Sequence, residues 1–295
     1  MNLEVSQLSF AYGTQQVLDI SSVKFDSGHI YGIVGQNGVG KTTFFKALTN
    51  IITNYTGAVK FDEVLVKENP AILTKVGIML DDMELYKAQT GLFNLRYFGG
   101  LRGGFDEENA RSMAAALGIA DSLDKKVSGY SLGMGKKLIL LISLMNSADV
   151  LIFDEPFRGI DATSVAWVRE KLLQLKQENK LILISSHVQE DIESICDTVY
   201  LLDNGDFKDS LDLTDTNATM TYTVAVSDVA AFAELLSQKN IPAMTKNNLV
   251  KFDSTSKDFQ ALFSEAVKSD ITFDEIKKTS TLAGFINGAT KGGYA

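Results

Sequence analysis

This 295-residue chain has a single cysteine and no long apolar run. Its acidic residues outnumber its basic ones. Its single cysteine, Cys196, cannot form an internal disulfide, which argues against a disulfide-stabilised secreted protein. The apolar stretches fall far short of the roughly 18 residues that a membrane-spanning helix needs, and the N-terminus lacks a signal-peptide pattern. A formal net charge of −9 argues against a broad basic surface for nucleic acid. We therefore expect a cytosolic protein that binds no nucleic acid.

What is present is an ordinary hydrophobic content of 45%, enough for one large or two modest domains. From residue 1 to about 210, short apolar strands alternate with helical stretches, which predicts an α/β fold on a largely parallel sheet. Residues 209–221 are rich in Asp, Thr and Asn, lack apolar periodicity and predict a linker. Strand and helix patterns then resume, with a last helix predicted over 281–287 and a frayed end beyond it.

These patterns predict two domains. The larger is an α/β domain at 1–212, in which residues from about 88 to 147 are predominantly helical. The smaller is an α+β domain at 213–295.

The most specific signal is the octapeptide at residues 35–42. It reads Gly-Gln-Asn-Gly-Val-Gly-Lys-Thr and fits the phosphate-binding P-loop pattern G-x-x-x-x-G-K-[ST]. An apolar run at 30–34 predicts a buried strand entering the loop, and residues 42–51 predict a helix leaving it. Glycines let successive backbone N–H groups turn toward an anion, and the helix N-terminus adds its positive dipole end. We therefore predict a nucleoside triphosphate site. The residues predicted to bind the nucleotide here are Gly35, Asn37, Gly38, Gly40, Lys41, Thr42 and Thr43.

A second motif, residues 149–156, is an apolar strand that ends in two acids. Lys41 is expected on the β- and γ-phosphates, and the Thr42 hydroxyl on Mg²⁺. Asp154 suits the metal shell of the same nucleotide, and Glu155 could polarise the attacking water as a general base. The alternative is a pair of solvated acids at the start of a loop.

Between these motifs lies Tyr130-Ser131-Leu132-Gly133-Met134. Here the chain resembles the ATP-binding subunits of ABC transporters, whose signature loop ordinarily reads Leu-Ser-Gly-Gly-Gln; the present form is common in ABC-2 exporters. The resemblance implies a P-loop ATPase cassette, with a RecA-like core plus a helical subdomain, and an accessory C-terminal domain. It also implies that Ser131 and Gly133 hold the γ-phosphate of a nucleotide on another subunit. The alternative for Ser131 is an ordinary helix cap.

Three further assignments follow from the resemblance. Asp161 matches the loop that communicates across the dimer, and His187 matches the switch histidine, whose neutral imidazole could bind the γ-phosphate. Tyr12 lies where the family stacks an aromatic ring on adenine. The alternative for Tyr12 is a half-buried strand residue.

Asp81 marks a departure from the family pattern. It takes the place of a glutamine that the family uses to contact Mg²⁺ and the transmembrane partner. A carboxylate could still face a metal-bound water, so Asp81 joins Thr42 and Asp154 as a metal candidate. The alternative is a solvated loop acid.

The resemblance implies a subunit that binds and hydrolyses ATP to power a membrane exporter of a peptide, drug or other amphiphile. It implies ATP and Mg²⁺ as cofactors, a separate permease, a second cassette (a copy or a paralogue), and a peripheral position at the cytoplasmic face of the membrane. A soluble ABC ATPase acting on nucleic acid or the ribosome is the alternative, although the usual coiled-coil insertion, zinc-binding cysteines and tandem cassettes are missing. A GTP-binding switch lacks its Asn-Lys-x-Asp motif, and the presence of Glu155 and His187 speaks against an inactive scaffold.

Overall fold

The computed structural model describes residues 1–145, 148–214, 220–246, 248–279, 282 and 285. Its internal contacts divide the chain into two units, Met1–Ser210 and Leu211–Ala295. No helix within the described ranges is long and apolar enough to cross a membrane.

The elements up to residue 212 are ten strands and six α-helices within the described ranges. In chain order they are β1 Leu3–Tyr12, β2 Gln15–Phe25, β3 Ile30–Val34, α1 Lys41–Leu48, β4 Thr56–Phe61, β5 Val64–Leu65, β6 Val76–Met79, α2 Gly91–Leu101, α3 Glu107–Ala116, α4 Leu132–Leu144, β7 Val150–Asp154, α5 Ala162–Gln177, β8 Leu181–Ser185, α6 Gln189–Ile195, β9 Thr198–Asp203 and β10 Asp206–Asp212.

The central sheet has the strand order β10-β9-β3-β8-β7-β6. The pairs β9-β3, β3-β8, β8-β7 and β7-β6 are all parallel. Every residue of β3, β7 and β8 is buried, as expected for strands covered on both faces. The predicted α/β fold with a largely parallel sheet is confirmed.

A second, antiparallel sheet has the order β2-β1-β4-β5. Helix α1 contributes Phe44 and Phe45, both fully buried, to a single hydrophobic core that also contains Leu3 of β1 and Leu183 of β8. Burial of a phenylalanine contributes about 1.5–3 kcal/mol, so this core fixes α1, and with it the end of the P-loop, against both sheets.

The three helices α2, α3 and α4 lie within the stretch predicted to be helical. Each begins at a polar cap: Thr90, Asp106 and Ser131 accept N–H hydrogen bonds at 3.1, 3.0 and 3.2 Å respectively. All residues of Leu138–Leu144 in α4 are buried, against α2, α3 and β6. The buried half of α4 therefore anchors its exposed N-terminal turn.

The described part of the second unit contains six elements. They are β11 Met220–Val226, α7 Val229–Gln238, β12 Ala243–Lys246, β13 Leu249–Ser254, α8 Ser256–Lys268 and β14 Phe273–Thr279. The antiparallel strand order β12-β13-β11-β14 gives the split βαβ arrangement. The unit has its own core, which includes Phe232, Leu236, Phe252 and Leu262.

The predicted linker at 209–221 is wrong at both ends. Residues up to Asp212 belong to β10, and β11 begins at Met220, while 215–219 lie outside the described residues. Strand β10 is largely exposed and lacks apolar alternation, so only its backbone pairing with β9 reveals it. The predicted helix over 281–287 and the chain end fall largely outside the described residues.

Helix α1 is also shorter than its predicted range. It ends at Leu48 rather than at 51 because Asn50 takes a left-handed conformation, with φ of 55°, that leaves the helix.

Candidate nucleotide-binding site

Four strands end at one edge of the central sheet, where ligands of α/β folds bind. The P-loop follows β3, Asp154 ends β7, Ser185 ends β8, and Asp81 follows β6 after one residue. The P-loop, Asp154 and Asp81 border a cleft of about 220 Å³. The residues lining it are Asn37, Gly38, Gly40, Lys41, Thr42, Thr43, Asp81, Asp154, Glu155 and Arg158.

The P-loop conformation depends on its glycines. Gly38 and Gly40 have φ of 81° and 116°, which side chains rarely tolerate. A Cβ at Gly35 would lie 2.3 Å from the carbonyl oxygen of Leu202. The loop can therefore keep its backbone against β9 and turn its N–H groups inward.

Lys41 is buried at the base of the loop, with 8% of the residue exposed. Its Nζ donates to the carbonyl oxygens of Gly35 at 2.7 Å and Gln36 at 3.1 Å. Burial lowers the pKa of the Lys41 amine, and the charges of Glu155 and Asp154 partly oppose that shift. Because its hydrogen-bond partners are neutral carbonyls, the ammonium charge is free to attract a phosphate.

Asp154 is almost fully buried, and both of its carboxylate oxygens are held. Thr42 donates its hydroxyl to Oδ2, and Ser185 donates its hydroxyl to Oδ1, each at 2.5 Å. The strand register sets this contact, since Asp154 and Ser185 are direct partners across β7 and β8. A hydroxyl and a carboxylate therefore meet beside the P-loop.

Glu155 turns sharply away from Asp154. Its φ of 52° is a left-handed conformation that non-glycine residues adopt rarely, often at functional sites. Its N–H donates to the Ser185 carbonyl at 3.2 Å and to the Ser185 hydroxyl at 3.1 Å. Its Oε2 lies 2.7 Å from Nδ1 of His187. A neutral imidazole with its proton on Nδ1 can donate to this carboxylate.

Asp81 lies in the cleft and also borders a neighbouring groove of about 310 Å³. Its Oδ1 is 3.0 Å from Nζ of Lys136 on α4. Ser131 lines that groove and caps α4, which agrees with the simpler alternative from the sequence. A Cβ on Gly133 would lie 2.9 Å from the carbonyl oxygen of Gly159. The signature loop thus lies beside the cleft, not in it.

Two predicted residues are engaged elsewhere. Asp161 caps α5 and forms an ion pair with Lys137 at 2.5 Å, and that lysine lowers the pKa of the Asp161 carboxyl. Tyr12 is 54% exposed and packs edge-to-face on Phe10 at 4.7 Å. Neither is among the described residues that line the cleft.

Ser185 and Arg158 were not predicted from the sequence as site residues. In the sequence, Ser185 is only the residue before Ser186 and His187. Its contact with Asp154 depends on the strand register, which the sequence does not indicate. Arg158, three residues after Glu155, is the positive charge nearest to that motif in the sequence, and this spacing could have indicated it.

Comparisons with known proteins agree with this geometry. A sequence profile of the ABC transporter family matches residues 18–158. The ABC transporter ATP-binding protein NatA of Bacillus subtilis is 34% identical over 190 residues, which are 63% of this chain and 77% of NatA. The bacitracin transport ATP-binding protein BcrA of Enterococcus faecalis is 31% identical over 215 residues, 72% of this chain and 70% of BcrA.

A solved structure of an ATP binding subunit of an ABC transporter has a TM-score of 0.67 and 25% identity. The match covers 73% of this chain and 92% of that one. It confirms the cassette fold that the signature loop implied, and the alternative of an ATPase acting on nucleic acid or the ribosome is not favoured. With the P-loop, Asp154 and Glu155 in one cleft, the chain belongs to the ABC transporter family as an ATP-binding subunit that hydrolyses ATP.

Proposed function

We propose that this subunit powers the export of an amphiphile, such as an antimicrobial peptide or a drug, through a separate permease. The observation that supports it best is the cleft in which the P-loop, Asp154 and Glu155 converge, with His187 in contact with Glu155. The likeness to a bacitracin transport protein and the Tyr-Ser-Leu-Gly-Met loop support an exporter.

The chemistry assigned to the cleft divides among its residues. The P-loop N–H groups and Lys41 bind the phosphates. Glu155 takes a proton from the attacking water, and His187 holds the carboxylate in position through its 2.7 Å contact.

Mg²⁺ typically binds through one or two protein oxygens together with phosphates and water. Thr42 and Asp154, whose oxygens already touch, fit that requirement, and Asp81 lines the same cleft. When bound, the cation neutralises phosphate charge. A calorimetric titration in which Thr42→Ala and Asp154→Asn leave the Mg²⁺ dependence of ATP binding unchanged would remove this assignment.

The exposed residues of the signature loop support a dimer. Ser131 lies at the N-terminus of α4, whose positive dipole end favours an anion. Since Ser131 and Gly133 do not line the cleft of their own chain, we assign them to a nucleotide bound on a second cassette, with Asp161 near the contact. Tyr12 is assigned to the adenine ring, for which its exposed face is accessible.

An exposed aromatic patch supports the permease contact. We define it as Tyr86, Phe93 and Tyr97, which are 47%, 40% and 41% exposed and have ring centroids 5.1–6.2 Å apart. Exposed apolar patches commonly mark protein interfaces. Docking there would place the subunit at the cytoplasmic face of the membrane.

Copurification with the permease tests this surface. Tyr97→Ser should reduce the amount of subunit recovered with the permease from membranes, whereas Ile51→Ser, an exposed apolar residue outside the patch, should not. Equal recovery of both variants would remove the patch from the interface.

The experiment that tests the ATPase assignment is Glu155→Gln. The variant should bind Mg·ATP nearly as well as the original chain but hydrolyse it about two orders of magnitude more slowly or worse, the range lost with a general base. It should also accumulate an ATP-bound dimer in size exclusion. Glu170→Gln, an exposed glutamate on α5, is the matched control. Unchanged hydrolysis in Glu155→Gln would refute the assignment.

A further inference from the structure

The nucleotide cleft contains a second cationic side chain that the P-loop chemistry does not use. Arg158 lies in the loop between β7 and α5 and lines the same cleft as Lys41, Thr42 and Glu155. The residue itself is exposed, so its guanidinium is accessible to a ligand in the cleft.

The loop that carries Arg158 is held in place. The Arg158 N–H donates to the carbonyl oxygen of Glu155 at 3.2 Å, which closes a turn directly after the catalytic glutamate. Phe157 beside it is buried, 6% exposed, and Gly159 follows with φ of 82°. The backbone of Arg158 is therefore fixed next to Glu155, and its side chain lines the cleft.

The charges that line the cleft are compatible with a cationic Arg158 that is available to bind an anion. Three carboxylates line it, from Asp81, Asp154 and Glu155, against two cations, Lys41 and Arg158. Asp81 pairs with Lys136, and Glu155 contacts His187. Within the part of the chain that the structure describes, no carboxylate forms an ion pair with Arg158. A nucleoside triphosphate would bring more negative charge into an already acidic cleft, which a second cation would offset.

We propose that Arg158 binds the terminal phosphate of the nucleotide and gives the site its preference for a triphosphate over a diphosphate. The proposal rests on the ATP-binding function and adds a phosphate-binding residue to it. The terminal phosphate is favoured because Arg158 lines the cleft beside Glu155, the residue assigned to the water that attacks that phosphate. A guanidinium suits this task because its planar fork can donate two hydrogen bonds to one phosphate.

The test compares Mg·ATP and Mg·ADP binding by calorimetry, using full-length chain from the monomeric fraction of size exclusion. Arg158→Gln should weaken Mg·ATP binding about tenfold while Mg·ADP binding changes less than about twofold, as expected from the loss of a charge-assisted hydrogen bond to the terminal phosphate alone. The Mg·ATP affinity of Arg158→Lys should lie between those of the original chain and Arg158→Gln, because lysine keeps the charge but lacks the planar fork of the guanidinium.

Two comparisons keep the outcome specific. Arg111→Gln, on α3 and paired with Glu107, makes the same charge change away from the cleft and should alter neither affinity. Lys41→Ala should weaken both nucleotides, which shows that nucleotide binding itself is being measured. If Arg158→Gln leaves both affinities unchanged, or weakens both equally, the terminal-phosphate role is wrong while the ATP-binding function stands. Thermal unfolding of each variant verifies that it is folded.

Discussion

At the scale of single residues, we propose that burial prepares the charge of Lys41 for phosphate binding. Its amine is desolvated, which lowers its pKa below the 10.5 of an ordinary lysine, and its two hydrogen-bond acceptors are neutral. A phosphate offers the same donor a negative charge. The amine attracts phosphate only when protonated, and a bound phosphate raises its pKa again.

Lys41→Ala should therefore weaken Mg·ATP binding strongly, while Lys46→Ala on the same helix should not. In the original chain the dissociation constant should rise with pH as the solution passes through the lowered pKa, because binding then requires proton uptake. Calorimetry across an alkaline pH series, in buffers of different ionisation enthalpy, measures both effects. A pH dependence that persists in Lys41→Ala would assign the proton to another group.

The residues predicted from the sequence and those missed differ in how far their contacts reach. Lys41, Thr42 and the P-loop glycines act within eight consecutive residues, so a local pattern reveals them. Ser185 contacts Asp154 across 31 positions, through the pairing of β7 with β8. No single-sequence pattern encodes that register, which explains why the residue that holds both acids was missed.

At the scale of elements, helix α4 is tied to two loops through consecutive lysines. Lys136 pairs with Asp81 after β6, and Lys137 pairs with Asp161 before α5. Both carboxylates are substantially exposed, so water screens each pair and its contribution to stability is small. The position of the Asp81–Lys136 pair is more informative than its strength, because Asp81 borders both the nucleotide cleft and the groove beside α4.

Two single variants can separate the roles of Asp81. Asp81→Ala removes the carboxylate from the cleft and breaks the ion pair, whereas Lys136→Met breaks the pair and keeps the carboxylate. If Asp81 acts through the nucleotide's metal shell and the permease, Asp81→Ala should lower transport more than ATP hydrolysis, and Lys136→Met should spare both. Asp81→Gln should keep substantial ATPase activity.

Parallel assays of ATPase and transport in reconstituted vesicles measure these effects. Equal losses in Asp81→Ala and Lys136→Met would show that the ion pair is what matters. Full transport by Asp81→Ala would show that Asp81 is only a solvated loop acid.

Element prediction from the sequence succeeded where burial is complete and failed where it is not. Strand β3 is a continuous apolar run, and it was predicted with its observed bounds. Strands β10 and β12 are mostly or fully exposed and carry no apolar alternation. Their pairing comes from backbone hydrogen bonds to neighbours, which side-chain patterns do not report.

At the scale of the whole molecule, all the nucleotide-site residues named above precede residue 211, and the second unit has a hydrophobic core of its own. That core packs Tyr222 face to face on Phe259, with ring centroids 4.0 Å apart, and buries Phe232 completely. A unit with a separate core can in principle fold alone. We infer that residues 213–295 are an accessory domain that acts on assembly, not on nucleotide binding.

A chain shortened to 1–212 should therefore fold and bind Mg·ATP with the affinity of the full chain. The cut follows the last residue of β10, so the central sheet keeps all its strands. Introducing Glu155→Gln into both lengths then allows their ATP-bound dimers to be compared by size exclusion. If the accessory domain steadies the dimer, the short form should dimerise only at higher protein concentration. A folded short chain that cannot bind ATP would show instead that the second unit completes the nucleotide site.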